Sequence, residues 1–303
     1  MAPQPQPFFL SVSPADLGRR FALYHAPHDV EARGLVVYVH PLAEEMNKSR
    51  RMAALQSRAF AAQGFAVLQM DLLGCGDSAG DFGDATWAQW VGDVVDACCW
   101  LRRRHPPPLG TAEPPLWLWG LRVGCLLAAE AATRLEEGCN FVFWQPTLVG
   151  NMALQQFLRL KLAGDMLAGN AKGAMAALRQ QLARGQPTDI AGYMLNPALA
   201  DGLEQAVLRP PPPPGRVDWL DVSASPEGGL PPAASRVVEQ WNDAGWDVRT
   251  QVVPGPSFWQ TTEIEEAPAL VVATSAALEQ SRAPNEAAGS TPSSSALLRE
   301  GGS

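Results

Sequence analysis

Gly120-Leu121-Arg122-Val123-Gly124 is the run in this chain whose residue types and spacing promise chemistry. It follows the apolar stretch Pro115-Leu116-Trp117-Leu118-Trp119 and opens a helical one, Cys125 to Arg134. Two glycines so placed let a strand turn sharply into a helix and lift the apex residue, with its side chain, towards a ligand. Ser, Cys or Asp at that apex would be an attacking atom for acyl transfer. Here the apex is Arg122, which carries five donors, no lone pair to attack with, and a permanent charge. The frame for nucleophilic attack is present and the nucleophile is absent.

Three other runs lie at the same end of predicted strands. His40-Pro41-Leu42-Ala43-Glu44-Glu45 follows a strand at Gly34 to Val39, and Asp71-Leu72-Leu73-Gly74-Cys75-Gly76-Asp77-Ser78 follows one at Phe65 to Met70. Ser225-Pro226-Glu227-Gly228-Gly229-Leu230-Pro231 follows Val217 to Val222 and puts Glu227 where an acid would orient a base. A triad also needs an imidazole within hydrogen-bond reach of the nucleophile. The four histidines stand at 25, 28, 40 and 105, none of them after the last predicted strand, where Val253 to Trp259 offers Ser257, Phe258 and Trp259 instead. Ordinary Ser-His-Asp acyl transfer is therefore excluded. Cys125 reads as a small buried packing residue, and Ser78 and Cys75 lack a base.

The candidate catalytic groups that remain are His40, Glu45 and Glu227. The candidate binding groups are Arg122 with Leu42, Glu44, Asn47, Leu121 and Phe258. At a helix N-terminus Arg122 presents a bidentate cation suited to phosphate or carboxylate. The alternative is that it pairs with Glu44, Glu45 or Glu227 and ties loops together. Glu44 and Glu45 read as lying just before a helix, where negative charge interacts favourably with the macrodipole by ~0.3–1 kcal/mol. Phe258 and Trp259 read as filling the space left by the imidazole, with stacking on a ligand ring as the alternative, and Trp87, Trp90 and Trp100 as packing along one helix face. Metal-type spacing is not visible, so neither metal nor cofactor is expected.

The elements that position these groups alternate. Phe8–Val12 and Arg20–His25 predict an opening hairpin. Gly34–Val39 is a near-continuous apolar run of the kind covered on both faces. A helix at Lys48–Gln63 is stopped by Gly64, then come a strand at Phe65–Met70, a long helix at Thr86–Arg104 closed by three prolines, the strand before Gly120, the helix after Arg122, and a strand at Asn140–Trp144. Residues 147–208 read as helical throughout, a lid-type insertion ending at the stiff Pro210–Pro214 run. Alternation resumes with Val217–Val222, a helix at Ala233–Ala244, a strand at Trp246–Val253 and a helix at Ala267–Leu278. Beyond Ser281 the Ala, Ser, Gly, Pro and Glu composition predicts a disordered tail. This order implies a mostly parallel sheet with helices on both faces.

Taken together, these segments resemble the α/β-hydrolase superfamily in its serine-aminopeptidase-like branch. More narrowly, His40 to Met52, the Asp71–Ser78 loop, Gly120-Leu121-Arg122 and Trp144-Gln145-Pro146 resemble hydrolase 2 of exosortase A systems. The resemblance spans about residues 7–275, and Glu-Glu-Met-Asn-Lys-Ser-Arg-Arg-Met at 44–52 is its most specific part. It implies an α/β-hydrolase fold and a protein encoded beside exosortase and exopolysaccharide genes in bacteria that sort PEP-CTERM proteins. It also implies a second, distantly related hydrolase as functional partner. Arg at the elbow belongs to this pattern, which points to a changed role rather than decay.

Composition bounds the rest. With 303 residues, 47% hydrophobic and 18% charged, the chain has the make-up of an ordinary globular protein, and its net charge of −8 argues against a nucleic-acid or anionic-membrane surface. No apolar run approaches the ~20 residues of a membrane span, and no secretory signal is visible at Met1–Pro5. Five cysteines without a paired framework read as free thiols in a cytoplasmic protein. Two functions stay open: a hydrolase or transferase of unusual mechanism using His40 and a glutamate, and a non-catalytic binding or assembly protein for a small anionic or sugar-derived ligand.

Overall fold

In the computed structural model, residues 4–13, 17–28, 31–167 and 174–280 are described; the expected tail over 281–303 lies outside them. Ten strands form within these residues: β1 Gln6–Ser11, β2 Arg19–His25, β3 Gly34–Val39, β4 Phe65–Met70, β5 Leu116–Leu121, β6 Asn140–Trp144, β7 Thr188–Ile190, β8 Tyr193–Leu195, β9 Arg216–Ser223 and β10 Asp247–Pro254. The helices are α1 Glu44–Ala62, α2 Trp87–Arg104, α3 Val123–Ala132, α4 Gly150–Leu167, α5 Ala174–Ala183, α6 Pro197–Gln205, α7 Pro232–Asp243 and α8 Pro268–Gln280.

Eight strands make one sheet in the order β1-β2-β4-β3-β5-β6-β9-β10. β1, β2 and β4 pair antiparallel, and every other neighbour is parallel. The central strands are apolar along their whole length because helices cover both faces. On one face α1 and α8 bury Met52, Phe60, Trp119, Trp144 and Leu270; on the other α2, α3 and α7 bury Trp90, Leu118, Leu127, Phe143 and Trp241. Thr86 caps α2 by accepting from Gln89 N–H at 3.2 Å, and the helix ends at Arg104, with His105 as its C-cap and Pro106 next in the chain.

Two sequence expectations change. α1 starts at Glu44 rather than Lys48, so Glu44 and Glu45 occupy its first turn instead of preceding it. The turn is set by Ala43, which adopts φ 49° and breaks cleanly from β3 into the helix. The segment between β6 and β9 is not helical throughout: α4, α5 and α6 are joined by the β7–β8 hairpin, whose two-residue turn Ala191-Gly192 has positive φ at both positions, 51° and 89°. That is the turn geometry whose twist matches paired strands. α6 lies hard against α2, where a Cβ on Gly202 would come within 2.2 Å of Trp87 Cβ.

Candidate functional site

The β5–α3 turn keeps the geometry of an elbow. Arg122 has φ 56° and ψ −119°, a strained conformation for a residue with a Cβ, and it persists because hydrogen bonds hold the turn. Its N–H donates to the Trp144 carbonyl at 3.0 Å, and its own carbonyl accepts from Cys125 N–H at 3.1 Å and Thr147 N–H at 3.2 Å. Both glycines are needed for close approach. A Cβ on Gly124 would lie 2.1 Å from the Val39 carbonyl oxygen, and one on Gly120 would lie 2.7 Å from the Cys125 nitrogen.

From this apex the guanidinium reaches three segments. Nε stands 3.4 Å from Glu45 Oε1 in the first turn of α1. Nη2 donates to Gln156 Oε1 on α4 at 3.3 Å, and Cζ sits 5.7 Å from the centre of the Trp259 ring, beyond β10. Burial pushes the Glu45 carboxyl above its ordinary range; the charge and hydrogen bond of Arg122, and a hydrogen bond from Gln260, oppose this without cancelling it. Asp221 on β9 is a second buried acid within the field of Arg122. It is raised by burial and held by Trp219 Nε1–H at 2.9 Å.

A cavity of about 220 Å³ opens beside Arg122, roofed by α4. Its polar groups are Glu44, Glu45, Lys48, Arg122, Gln156 and Gln260; Phe157 and Trp259 are the largest apolar walls, with Leu42 and Val123 at the two helix starts. Among the described residues, no Ser, Thr, Cys or His lines it. Nor does any group of three His, Cys, Asp or Glu stand ready to hold a metal ion among them.

Of the residues singled out from the sequence, Leu42, Glu44, Glu45 and Arg122 come together here. His40 does not. It is buried, and backbone Leu72 N–H donates to its Nε2 at 3.2 Å, so its Nδ1 carries the proton and donates to the Pro41 carbonyl at 2.8 Å. Both ring nitrogens are used in joining two loops, burial lowers its pKa, and it faces a different cavity, shared with Tyr38, Arg50 and Asp71. Glu227 is exposed on a short 3₁₀ turn, Pro226–Gly228, with no bond to Arg122. Leu121 is wholly buried in the sheet. Phe258 is also wholly buried, edge-on to Trp144 at 6.2 Å, so the ring that meets Arg122 belongs to its neighbour Trp259. Asn47 is exposed and donates to Tyr193 Oη at 3.2 Å, while the Tyr193 hydroxyl donates to Glu44 Oε2 at 3.0 Å. The buried Cys125 thiol is pushed well above its ordinary pKa and is inert.

Sequence reasoning missed Lys48, Gln156 and Asp221, and it singled out Trp259 together with Phe258 without telling which ring faces Arg122. Lys48 stands one helical turn after Glu44 and was legible from that spacing. Gln156 sits in the inserted segment, where no motif marks it.

The sheet order, the elbow and the crossovers define an α/β hydrolase. The model of the serine aminopeptidase S33 family matches residues 30–200, and the chain belongs to that family. Solved structures agree on the fold. Est1E from Butyrivibrio proteoclasticus, with ferulic acid bound, is 14% identical with a TM-score of 0.57, over 90% of this chain and 98% of that one. A thermostable carboxyl esterase from Bacillus coagulans, in complex with glycerol, is 15% identical with a TM-score of 0.57, over 92% and 99%. Mouse alpha/beta hydrolase domain-containing protein 10 is 16% identical with a TM-score of 0.57, over 91% and 99%. No curated protein matches the chain. No helix among the described residues is long and apolar enough to cross a membrane.

Proposed function

We propose that this chain is a non-catalytic member of its family that uses the Arg122 cavity to bind a small anionic or sugar-derived ligand, and that it serves an exosortase A system in the cytoplasm beside a second hydrolase. The observation that carries the reading is the replacement at the apex. The elbow is kept in full, its side chain is a cation, and nothing lining the cavity can attack or relay a proton as a Ser–His pair would. The most specific stretch of the exosortase resemblance, 44–52, supports the second half, because Glu44, Glu45 and Lys48 from that stretch form one wall of the same cavity.

A bound carboxylate or phosphate would meet Arg122 and Lys48 at the starts of two helices, where backbone N–H groups add to the attraction. Water activated at Glu45 is the second reading, favoured by the raised pKa of that buried carboxyl. Calorimetric titration with glucuronate and glucose 6-phosphate, with ester and thioester assays in parallel, separates them. Saturable binding lost in Arg122→Ala, without turnover, is expected. Binding unchanged in Arg122→Ala would overturn the ligand reading, and turnover abolished by Glu45→Gln would establish the enzyme. Deletion of the gene in a host that carries it should impair PEP-CTERM protein sorting; unimpaired sorting would separate the protein from that system.

A further inference from the structure

A second cavity, of about 210 Å³, lies between α1 and the sheet and is lined from β2, β3 and β4. Its floor is set by strand register. Leu23 pairs with Gln69 and Gln69 with Tyr38, so these three side chains form one row across β2, β4 and β3. The next row is Phe21, Asp71 and His40, with Asp71 N–H bonded to the Phe21 carbonyl at 3.0 Å. The roof is α1, and two alanines at 53 and 54 leave the space that larger residues would fill.

The polar groups of this cavity are incompletely used. Tyr38 is only 7% exposed, its ring packs on Trp119 at 4.4 Å, and its hydroxyl has no hydrogen-bond partner among the described residues. The hydroxyl opens into the cavity, where an oxygen of a bound molecule can accept from it. Burial also holds it protonated, so it is a donor. Arg50 makes one bond, from Nη2 to Asp71 Oδ2 at 3.1 Å, and its side chain is 44% exposed, leaving its other guanidinium N–H groups without a protein partner among the described residues. Gln69 spends its side-chain oxygen on His25 Nε2 at 3.2 Å and keeps its amide nitrogen free of any such bond. His40 is already satisfied at both nitrogens. Three donors therefore line one space whose apolar walls include Phe21, Leu23, Met46 and the two alanines.

From this convergence we infer that the chain carries a second ligand site, independent of Arg122, for a small apolar molecule bearing one carboxylate. The carboxylate sits between the Tyr38 hydroxyl and the free face of the Arg50 guanidinium, and the apolar body lies against Phe21, Leu23 and the alanines. Asp71 also lines this cavity, and its Oδ2 accepts from Arg50 at 3.1 Å and from Asp77 N–H at 3.1 Å, so the ligand shares the Arg50 charge with it and weak, millimolar binding is expected.

Benzoate is the probe and benzamide its uncharged match, titrated calorimetrically into the whole protein. Wild type should bind benzoate saturably in the millimolar range and benzamide at least about tenfold more weakly. Arg50→Met should weaken benzoate by about tenfold or more, and Tyr38→Phe by about threefold to tenfold while keeping the ring on Trp119. Far-UV circular dichroism and a melting curve check that each variant folds. Benzoate taken up by the first cavity would depend on Arg122 and not on Arg50, so the second site is read in the Arg122→Gln background, where the component lost in Arg50→Met should persist. Absence of saturable binding in wild type, binding indifferent to both Arg50→Met and Tyr38→Phe, or loss of the Arg50-dependent component in that background would each overturn the inference.

Discussion

Arg122 Nε lies 3.4 Å from Glu45 Oε1, so the residue at the apex of the elbow is answered by the first turn of the helix that follows β3. Both side chains are about four-fifths buried, at 18% and 19% exposure. The cation at the apex has its own acid, supplied from the first turn of α1, which borders the same cavity.

That pairing fixes a pH dependence. Glu45 has its pKa raised in the fold by burial, and Arg122 is the main influence holding it down. In Arg122→Met that restraint is gone and the pKa rises further. A carboxyl with a raised folded pKa favours the fold most below its unfolded value, and that advantage is lost as pH rises through the folded value. The variant should therefore match wild type closely at about pH 4.5 and fall short by about 3 kcal/mol at neutral pH. Urea unfolding of both proteins at several pH values checks this. Adding Glu45→Gln should remove most of the deficit; a deficit independent of pH would show that Glu45 is not its source.

Gly124→Ala should be severely destabilising. Its Cβ would enter the Val39 carbonyl oxygen at 2.1 Å, which is backbone and cannot rotate away. A loss of about 3 kcal/mol or more is expected, read as a lowered urea midpoint. Gly229→Ala meets no neighbour within 4 Å, and only its positive φ of 66° opposes it. A cost of about 1 kcal/mol is expected there. Equal costs at the two sites would mean that helix–strand contact does not set the requirement for glycine at 124.

The sheet was legible in the sequence because buried parallel strands are nearly all apolar and glycine or proline punctuates them. Phe65–Met70 and Asn140–Trp144 are read to the residue. The β7–β8 hairpin was not, since three-residue strands leave too short an alternation and Ala191 gives no turn signal. The site was legible where a motif carried it: Arg122 at the apex, with Glu45 as its partner among the three acids considered. Side-chain direction was not legible. Phe258 and Trp259 are adjacent, and only the backbone after β10 decides that Phe258 turns into the core and Trp259 towards Arg122. His40 stands at a strand end, as a catalytic histidine would, yet its two nitrogens are taken by backbone groups that no sequence pattern reveals.

His40→Ala tests that last placement. It removes one bond to the Pro41 carbonyl and leaves the buried Leu72 N–H without its acceptor, so a loss of about 2–4 kcal/mol at neutral pH is expected. Binding of any anion at Arg122 should be unaffected. The pH signature is distinct. Burial lowers the His40 pKa below 6.5, so the fold loses stability as pH drops from that value towards the folded one. The variant should lack this component and show a flatter curve below pH 6.5, measured as the change in melting temperature with pH. A parallel curve would mean that His40 does not titrate on unfolding.

Restoring the nucleophile alone should not restore hydrolysis. Arg122→Ser places an Oγ at the apex of an intact elbow, but among the described residues no imidazole lines the cavity to take its proton. Turnover of a p-nitrophenyl ester by this variant should stay at the level of wild type. Trp259 is the residue beyond β10 whose ring meets the Arg122 guanidinium, so Arg122→Ser with Trp259→His puts an imidazole on the segment that faces the elbow. Asp221 on β9, already within the field of that position, is a second buried carboxylate beside Glu45. General-base assistance contributes about 10²–10⁴-fold, and the double variant should exceed the single one by at least about 10²-fold. If Arg122→Ser alone were as active as the pair, a base other than an imidazole would be serving the cavity, and Glu45, at its rim, would be the first residue to replace.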